Sequence, residues 1–239
     1  MSRLKELSRK IDSREARVGV IGLGYVGLPL ALEFAKAGLR VIGFDVDEQK
    51  ISSIQDGVSY IDDVPSKEVA AARSAEKLTA TDDFSELSAC DIINVCVPTP
   101  LTKTKDPDVS FIVQALEEIR ERIHSGQLII LGSTTYPGTT HELYVPILEA
   151  TGLKVGEDFA VAFAPERIDP ANTQFDVREI PKVVGGETPL CTELATQIFQ
   201  LVFEEIVPVS STQSAEMVKL LENTFRAINI GLANEVALM

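Results

Sequence analysis

The sequence has 239 residues, enough for one large domain or two small ones with a full hydrophobic core. Its formal net charge of −14 disfavours binding to nucleic acid or to an anionic membrane surface. No apolar run approaches the roughly 20 residues that cross a bilayer, and the charged N-terminus lacks the apolar core of a secretion signal. Cys90, Cys96 and Cys191 include no C-x-x-C pair, so we expect no metal site, no disulfide framework and a reducing, cytoplasmic setting.

The first 16 residues predict a short N-terminal helical extension. Leu4, Leu7 and Ile11 share one face of this helix, which would pack beside the first strand of the domain. A frayed terminus is the alternative reading of the same residues.

The next stretch predicts a strand, a glycine turn and a helix. A short apolar run ends at Gly22, and Gly22, Gly24 and Gly27 then follow in G-x-G-x-x-G spacing before a helical pattern. In a dinucleotide-binding unit the first glycine permits a tight turn, the second lets the backbone approach a pyrophosphate, and the third lets the helix pack on the strand. The pyrophosphate lies at the helix N-terminus.

The acidic residue that closes the second strand indicates which dinucleotide binds. Asp45 stands roughly 20 residues after the first glycine, where a carboxylate accepts hydrogen bonds from the adenosine ribose. Asp45, Asp47 and Glu48 would repel a 2′-phosphate, and Lys50 is the only basic residue nearby. We therefore expect NAD rather than NADP as the cofactor. The cofactor-binding residues predicted from this unit are Gly22, Gly24, Tyr25, Val26, Gly27, Asp45 and Lys50.

Strand and helix patterns alternate along the rest of residues 17–210, which predicts an α/β fold with a Rossmann-like, doubly wound parallel sheet. Apolar runs predict strands at residues 18–21, 41–44, 78–80, 91–97, 127–131, 159–163, 182–184 and 206–209. Periodic patterns predict helices at residues 28–36, 47–55, 66–72 (capped by Ser66), 110–124, 140–151 and 189–202.

Polar segments follow four of the predicted strands. The carboxyl ends of parallel strands share one edge of a sheet, and open α/β sheets bind ligands there. We therefore expect these segments to gather on one rim. They are residues 22–27, 98–100, 133–134 and 166–167.

The C-terminal residues predict a long helix with a broad apolar stripe. Lys219 and Asn223 are four residues apart and so share one helix face, although spacing alone is more typical of a solvated surface pair. The helix has no stop signal, so we expect that the chain is cut short. The stripe consists of Met217, Leu220, Leu221, Phe225, Ile228, Leu232 and Val236.

Motifs along nearly the whole chain resemble those of the UDP-glucose/GDP-mannose dehydrogenase family. They are G-L-G-Y-V-G-L-P, C-V-P-T-P, S-T-T-Y-P-G-T-T, A-P-E-R-I-D-P-A-N, I-P-K-V-V-G-G and A-E-M-V-K-L-L-E-N-T-F-R-A-I-N. The third and fourth are most similar to the UDP-N-acetylglucosamine 6-dehydrogenase branch. The resemblance implies oxidation of the C6 alcohol of a UDP-sugar to the uronic acid with two NAD, in polysaccharide biosynthesis. It also implies that residues 211–239 begin a central helix through which a homodimer forms.

The resemblance also implies roles for individual residues. Thr134 and Glu166 would hold the catalytic water and handle protons, Lys219 would stabilise the oxyanion at C6, and Asn223 would orient the substrate. Arg167, with Glu166, Lys219 and Asn223, would bind the substrate. The remaining cofactor-binding residues would be Val97, Pro98, Thr99, Ser133 and Thr134.

Three departures from the family pattern accompany the resemblance. Gly132 stands where relatives carry a polar or charged residue, and Ala164 stands where they carry Ser or Asn. The family's catalytic cysteine lies beyond the central helix, and the three cysteines here are typical of core positions. We therefore expect that the C-terminal nucleotide-sugar domain is absent and that this chain alone does not complete the reaction. A non-catalytic NAD-binding dimer module, or another two-domain hydroxyacid dehydrogenase of the 6-phosphogluconate type, stays open as an alternative.

Overall fold

The computed structural model describes residues 3–100, 103, 107–166 and 177–239. Its strands are β1 Arg17–Ile21, β2 Arg40–Phe44, β3 Leu78–Thr81, β4 Ile92–Val95, β5 Leu128–Leu131, β6 Ala160–Phe163, β7 Lys182–Gly186 and β8 Ile206–Val209. Its α-helices are α1 Arg3–Asp12, α2 Gly27–Lys36, α3 Glu48–Gln55, α4 Ser66–Ser74, α5 Ser110–Arg120, α6 Val145–Glu149, α7 Pro189–Phe199 and α8 Thr212–Leu238. Two 3₁₀-helices, Phe84–Ala89 and Val177–Glu179, and one π-helix, Thr140–Tyr144, complete the described elements.

The eight strands form one sheet with the order β3-β2-β1-β4-β5-β6-β7-β8. This is the predicted α/β architecture, and every pair formed among β1 to β6 is parallel. The sheet differs from the prediction at one pair, because β7 runs antiparallel to β6 with Phe163 opposite Gly185. An antiparallel strand needs no crossover and starts at the edge where its neighbour ends. Lys182, the first residue of β7, therefore lies at the carboxyl end of β6.

Apolar side chains cover both faces of the sheet. One core contains the apolar residues of α1, α2 and α7, and the other contains those of α5 and α6. Leu4 and Ile11 of α1 are fully buried, and Lys10 forms an ion pair with Asp91 at 2.7 Å. The predicted N-terminal helix is thus an ordered part of the fold, and it packs on α7.

Two local predictions are corrected. Ser66 does not cap α4, since it is the first helical residue and its hydroxyl accepts a hydrogen bond from the Ser59 N–H at 3.0 Å. The helix predicted at 140–151 divides into the π-helix and α6, because Pro146 has no N–H to continue an α-helical pattern. The other predicted strands and helices are present, with ends that differ by a few residues. No helix in the described ranges is long and apolar enough to cross a membrane.

Candidate active site

The glycine turn after β1 is packed from one side and open on the other. Gly22 has φ +90°, and a Cβ there would lie 2.8 Å from the Cys96 carbonyl oxygen, so the turn lies against the loop after β4. A Cβ on Gly27 would lie 1.8 Å from the Gly22 carbonyl oxygen, which shows how closely α2 approaches the turn. A Cβ on Gly24 would meet nothing within 4 Å. The backbone at Gly24 therefore faces the open space that a pyrophosphate needs.

The N-terminus of α2 fits an anionic ligand. Its N-cap, Val26, offers no side-chain hydrogen bond to the helix, and the first turn has no acidic residue. The positive end of the helix dipole is therefore not met by a carboxylate of the helix itself. Tyr25, beside Gly24 in the turn, is 62% exposed. These residues fit the phosphates of a dinucleotide.

Asp45 lies directly beneath this turn. Its carboxylate accepts hydrogen bonds from the N–H of Leu23 at 2.8 Å and of Asp47 at 3.0 Å, and from Lys50 Nζ at 2.9 Å. A carboxylate has about four acceptor positions, so three donors leave one for a ribose hydroxyl. Asp45 thus stabilises the glycine turn as well as standing at the predicted ribose position. The ammonium of Lys50 forms an ion pair with Asp45.

Tyr60 is a further brace that the motif does not reveal. Its hydroxyl donates to the Leu23 carbonyl oxygen at 2.6 Å. Burial, and after it the charges of Asp45 and Asp47, raise the pKa of this phenol, so it stays a donor. Tyr60 lies in the polar segment between α3 and α4, far from the glycines in sequence, and no local signal marks it.

The loops after β4 and β5 are joined by a hydrogen bond. The Ser133 hydroxyl donates to the Val97 carbonyl oxygen at 2.6 Å, so this predicted cofactor-binding residue also fixes the position of the loop after β4. In that loop Pro98 is exposed and Thr99 is half-buried, and Thr134 beside Ser133 is half-buried as well.

Glu166 and Lys219 meet at the same rim. Lys219 is half-buried on α8, and its Nζ donates to the backbone carbonyl oxygen of Glu166. Burial lowers the pKa of Lys219, although the carboxylates of Glu166 and Glu222 oppose this effect. Thr134 follows β5 and Glu166 follows β6 at the same edge of the sheet. Each is three residues beyond the strand-end pair Leu131 and Phe163. The structure therefore brings Thr134, Glu166 and Lys219 to one edge.

Asn223 and Arg167 are not joined to this group by the described contacts. Asn223 lies one helical turn beyond Lys219 and is exposed. Arg167 lies outside the described residues. Their predicted substrate-binding roles stay predictions.

Glu216 connects α8 to the loop that carries Thr134. It is fully buried, and its carboxylate accepts hydrogen bonds from Gly138 N at 2.6 Å, Thr140 N at 2.9 Å and Thr140 Oγ1 at 2.6 Å. Burial raises the pKa of Glu216, while these hydrogen bonds work in the opposite direction. Sequence reasoning did not single out Glu216. Its place three residues before Lys219, on the same face of the helix, is the signal that could have done so.

The departures from the family pattern leave space and inert thiols. A Cβ on Gly132 would meet no atom closer than 3.5 Å, so the position has room for a Cβ. Burial raises the pKa of Cys90 and of Cys96 to about 12, and Cys191 is fully buried. None of the three has the features of a reactive thiolate.

The comparisons with known proteins agree with this geometry. The model of the UDP-glucose/GDP-mannose dehydrogenase family, NAD binding domain, matches residues 16–203, and that of the family's central domain matches residues 213–239. UDP-N-acetyl-D-glucosamine 6-dehydrogenase from Pseudomonas aeruginosa is 39% identical over 95% of this chain and 53% of its own length. UDP-N-acetyl-D-mannosamine dehydrogenase from Pyrococcus horikoshii is 37% identical over 93% of this chain and 53% of its own length.

Solved structures show the same relationship. The structure of UDP-D-ManNAc dehydrogenase from Pyrococcus horikoshii has a TM-score of 0.88 and 39% identity over 93% of this chain and 53% of that one. A ternary complex of GDP-mannose dehydrogenase from Pseudomonas aeruginosa has a TM-score of 0.86 and 30% identity over 92% of this chain and 52% of that one.

This chain spans about half the length of the relatives that it matches. The family model that matches residues 16–203 is an NAD binding domain, so NAD is the cofactor of this chain, in agreement with the prediction from Asp45. The two family models together cover nearly all of the described residues, and the chain belongs to the UDP-glucose/GDP-mannose dehydrogenase family.

Proposed function

We propose that this chain supplies the NAD-binding domain and the oxyanion-stabilising lysine of an NAD-dependent nucleotide-sugar 6-dehydrogenase. Residues 17–210 are the NAD-binding domain in this proposal, and residues 211–239 begin the dimerisation helix. The substrate is a UDP-sugar, UDP-N-acetylglucosamine in the first instance, as in the Pseudomonas aeruginosa relative. The observation that carries the proposal is the contact of Lys219 with Glu166 on the rim that also bears the glycine turn.

The rim residues suit the removal of a hydride from an alcohol carbon. Hydride leaves more readily as the hydroxyl loses its proton, so a base and a nearby cation both lower the barrier. The NAD ring, when bound, accepts the hydride. Lys219 stabilises the developing oxyanion, Glu166 and Thr134 handle the proton and hold water, and Asn223 with Arg167 orients the sugar.

We also propose a homodimer through residues 214–239. The apolar side chains of this segment are largely exposed in the single chain, with Leu221 62%, Phe225 69% and Ile228 65% exposed. A contiguous apolar face of this kind is typical of an association surface. The three free thiols support a reducing, cytoplasmic setting.

The test of the catalytic assignment is the substitution Lys219→Ala in the full-length gene product. Loss of one oxyanion-stabilising group lowers kcat by about 10²–10³-fold. The affinity for NAD, measured by calorimetry, should stay unchanged because no described contact joins Lys219 to the glycine turn. Lys154→Ala is the matched control, since Lys154 forms a surface ion pair with Glu149 at 3.5 Å.

The outcomes separate the proposal from a non-catalytic NAD-binding module. A catalytic role requires NADH formation from UDP-N-acetylglucosamine that Lys219→Ala slows by about 10²–10³-fold and Lys154→Ala preserves. NAD binding without NADH formation from any of several UDP-sugars by the full-length product would favour the module instead. Residues 1–239 alone should not form two NADH per sugar, because none of their cysteines suits the thiol nucleophile that the second oxidation needs.

A further inference from the structure

Lys182 is a buried lysine directly beneath the rim. It is 3% exposed, and its Nζ lies 3.1 Å from Oε2 of Glu166. The same ammonium lies 5.3 Å from the ring centroids of Phe199 and Phe203. Lysine is almost never this buried unless it is paired. A buried ion pair contributes little net stability, because the cost of desolvating two charges offsets their attraction.

Several groups besides Lys182 lie near Glu166. A cavity of about 10 Å³ is lined by residues that include Asn94 of β4, Lys182 of β7, and Cys96 and Glu166 from the loops after β4 and β6. Cys96 lines this space from the loop after β4 as a neutral thiol, since burial raises its pKa to about 12. From α8, Lys219 contacts the carbonyl of Glu166. Glu222 and Arg226 lie close enough to shift the pKa of Lys219.

Two lysines therefore hold one residue at different atoms. Lys219 binds the backbone carbonyl of Glu166 from α8, while Lys182 binds the carboxylate from β7. This arrangement exists only because β7 is antiparallel to β6, which places its first residue at the rim. A parallel β7 would put Lys182 at the opposite edge of the sheet.

We propose that Lys182 is a positioning residue that keeps the Glu166 carboxylate ionised and fixed beneath the rim. The catalytic part of this inference rests on the proposed function, in which Glu166 handles the proton of the substrate alcohol. Lys182 itself does not touch the substrate in this proposal. It acts through Glu166.

The first test is direct and needs no enzymatic activity. The carboxyl carbon of Glu166 is followed by NMR against pH in residues 1–239, with Glu166→Gln to assign the signal. An opposite charge within hydrogen-bond distance lowers a carboxyl pKa by about 1–3 units, so Lys182→Met should raise the midpoint by that amount. Lys182→Gln keeps a donor and similar size, and it should give the same shift even if the methionine variant does not fold. Lys182→Arg should restore a midpoint near that of the original protein.

The matched control is Lys10→Met, which breaks the ion pair with Asp91 elsewhere in the protein and should leave the Glu166 midpoint unchanged. The inference would be overturned if the Lys182→Gln variant unfolds in a cooperative thermal transition, which shows that it is folded, and its Glu166 midpoint is unchanged. This result is independent of whether the protein oxidises any sugar.

The second test uses the pH dependence of kcat in the full-length product. The acidic limb should move to higher pH in Lys182→Gln and return in Lys182→Arg, with NAD affinity unchanged. If the NMR midpoint moves and the acidic limb does not, Glu166 is not the proton-handling group. That outcome would overturn the catalytic part of the inference together with the proposed role of Glu166.

Discussion

Removal of the Asp45 carboxylate should weaken NAD binding far more than removal of its neighbour Asp47. Hydrogen bonds to a charged group contribute about 1.5–3 kcal/mol. Since 1.4 kcal/mol corresponds to a factor of ten, Asp45→Ala should raise the Kd for NAD by roughly 10- to 150-fold. The substitution should also remove the repulsion of a 2′-phosphate and free Lys50, so discrimination against NADP should fall.

The structure adds a second effect of the same substitution. The buried Leu23 N–H donates a hydrogen bond to the Asp45 carboxylate at 2.8 Å and would lose this acceptor. An unsatisfied buried donor costs about 1–3 kcal/mol, so the free energy of unfolding should also decrease. A weakened turn could therefore imitate the loss of a ribose contact.

Asp47→Ala separates the two effects. Asp47 is the N-cap of α3 and accepts a hydrogen bond from Gln49 N at 2.9 Å, so its loss should cost about 0.5–2 kcal/mol of stability. It should not change the Kd for NAD. The assays are calorimetric titration with NAD and NADP and thermal unfolding of each variant. If Asp45→Ala lowers stability while the Kd for NAD stays unchanged, Asp45 is only a brace for the turn and the ribose argument is refuted.

Three further predictions concern packing, association and pH. Gly27→Ala should abolish NAD binding, because the new Cβ would lie 1.8 Å from the Gly22 carbonyl oxygen. Gly231→Ala in α8 is the control, since its Cβ would meet nothing within 4 Å, and calorimetry should show unchanged NAD binding. Phe225→Glu should shift sedimentation at micromolar concentration towards the monomer. Thr224→Glu changes an exposed polar position and should cause no such shift. A monomer before any substitution would contradict the dimer proposal. The ion pair with Glu187 raises the pKa of His141, so its stabilisation is present below the unfolded pKa and is lost as pH rises through the folded pKa. His141→Gln should therefore lower the melting temperature at acidic pH and have no effect at alkaline pH, and an equal effect at both would exclude this linkage.

The sequence by itself determined the features that depend on neighbouring residues. The glycine spacing, the apolar run before Gly22 and the acid at Asp45 indicated a dinucleotide turn, since each part acts within one strand–turn–helix unit. The stripe on α8 followed from helical periodicity, and all its side chains except the half-buried Leu220 are exposed. The eight strands and their largely parallel sheet also follow from alternating patterns, apart from the direction of one pair. These features are local because backbone periodicity and turn chemistry act over a few residues.

Only the tertiary structure decided which distant residues meet at the rim. The Glu166–Lys182 pair depends on the antiparallel direction of β7, and apolar periodicity does not encode strand direction. Glu216 reaches Thr140 across 76 residues, and Tyr60 reaches Leu23 across 37, through helices and segments whose positions depend on the packed sheet. Such contacts arise when burial forces a polar group to find a partner wherever the fold supplies one. The sequence could therefore indicate the cofactor and the candidate residues, while the bracing of those residues became visible only in the folded chain.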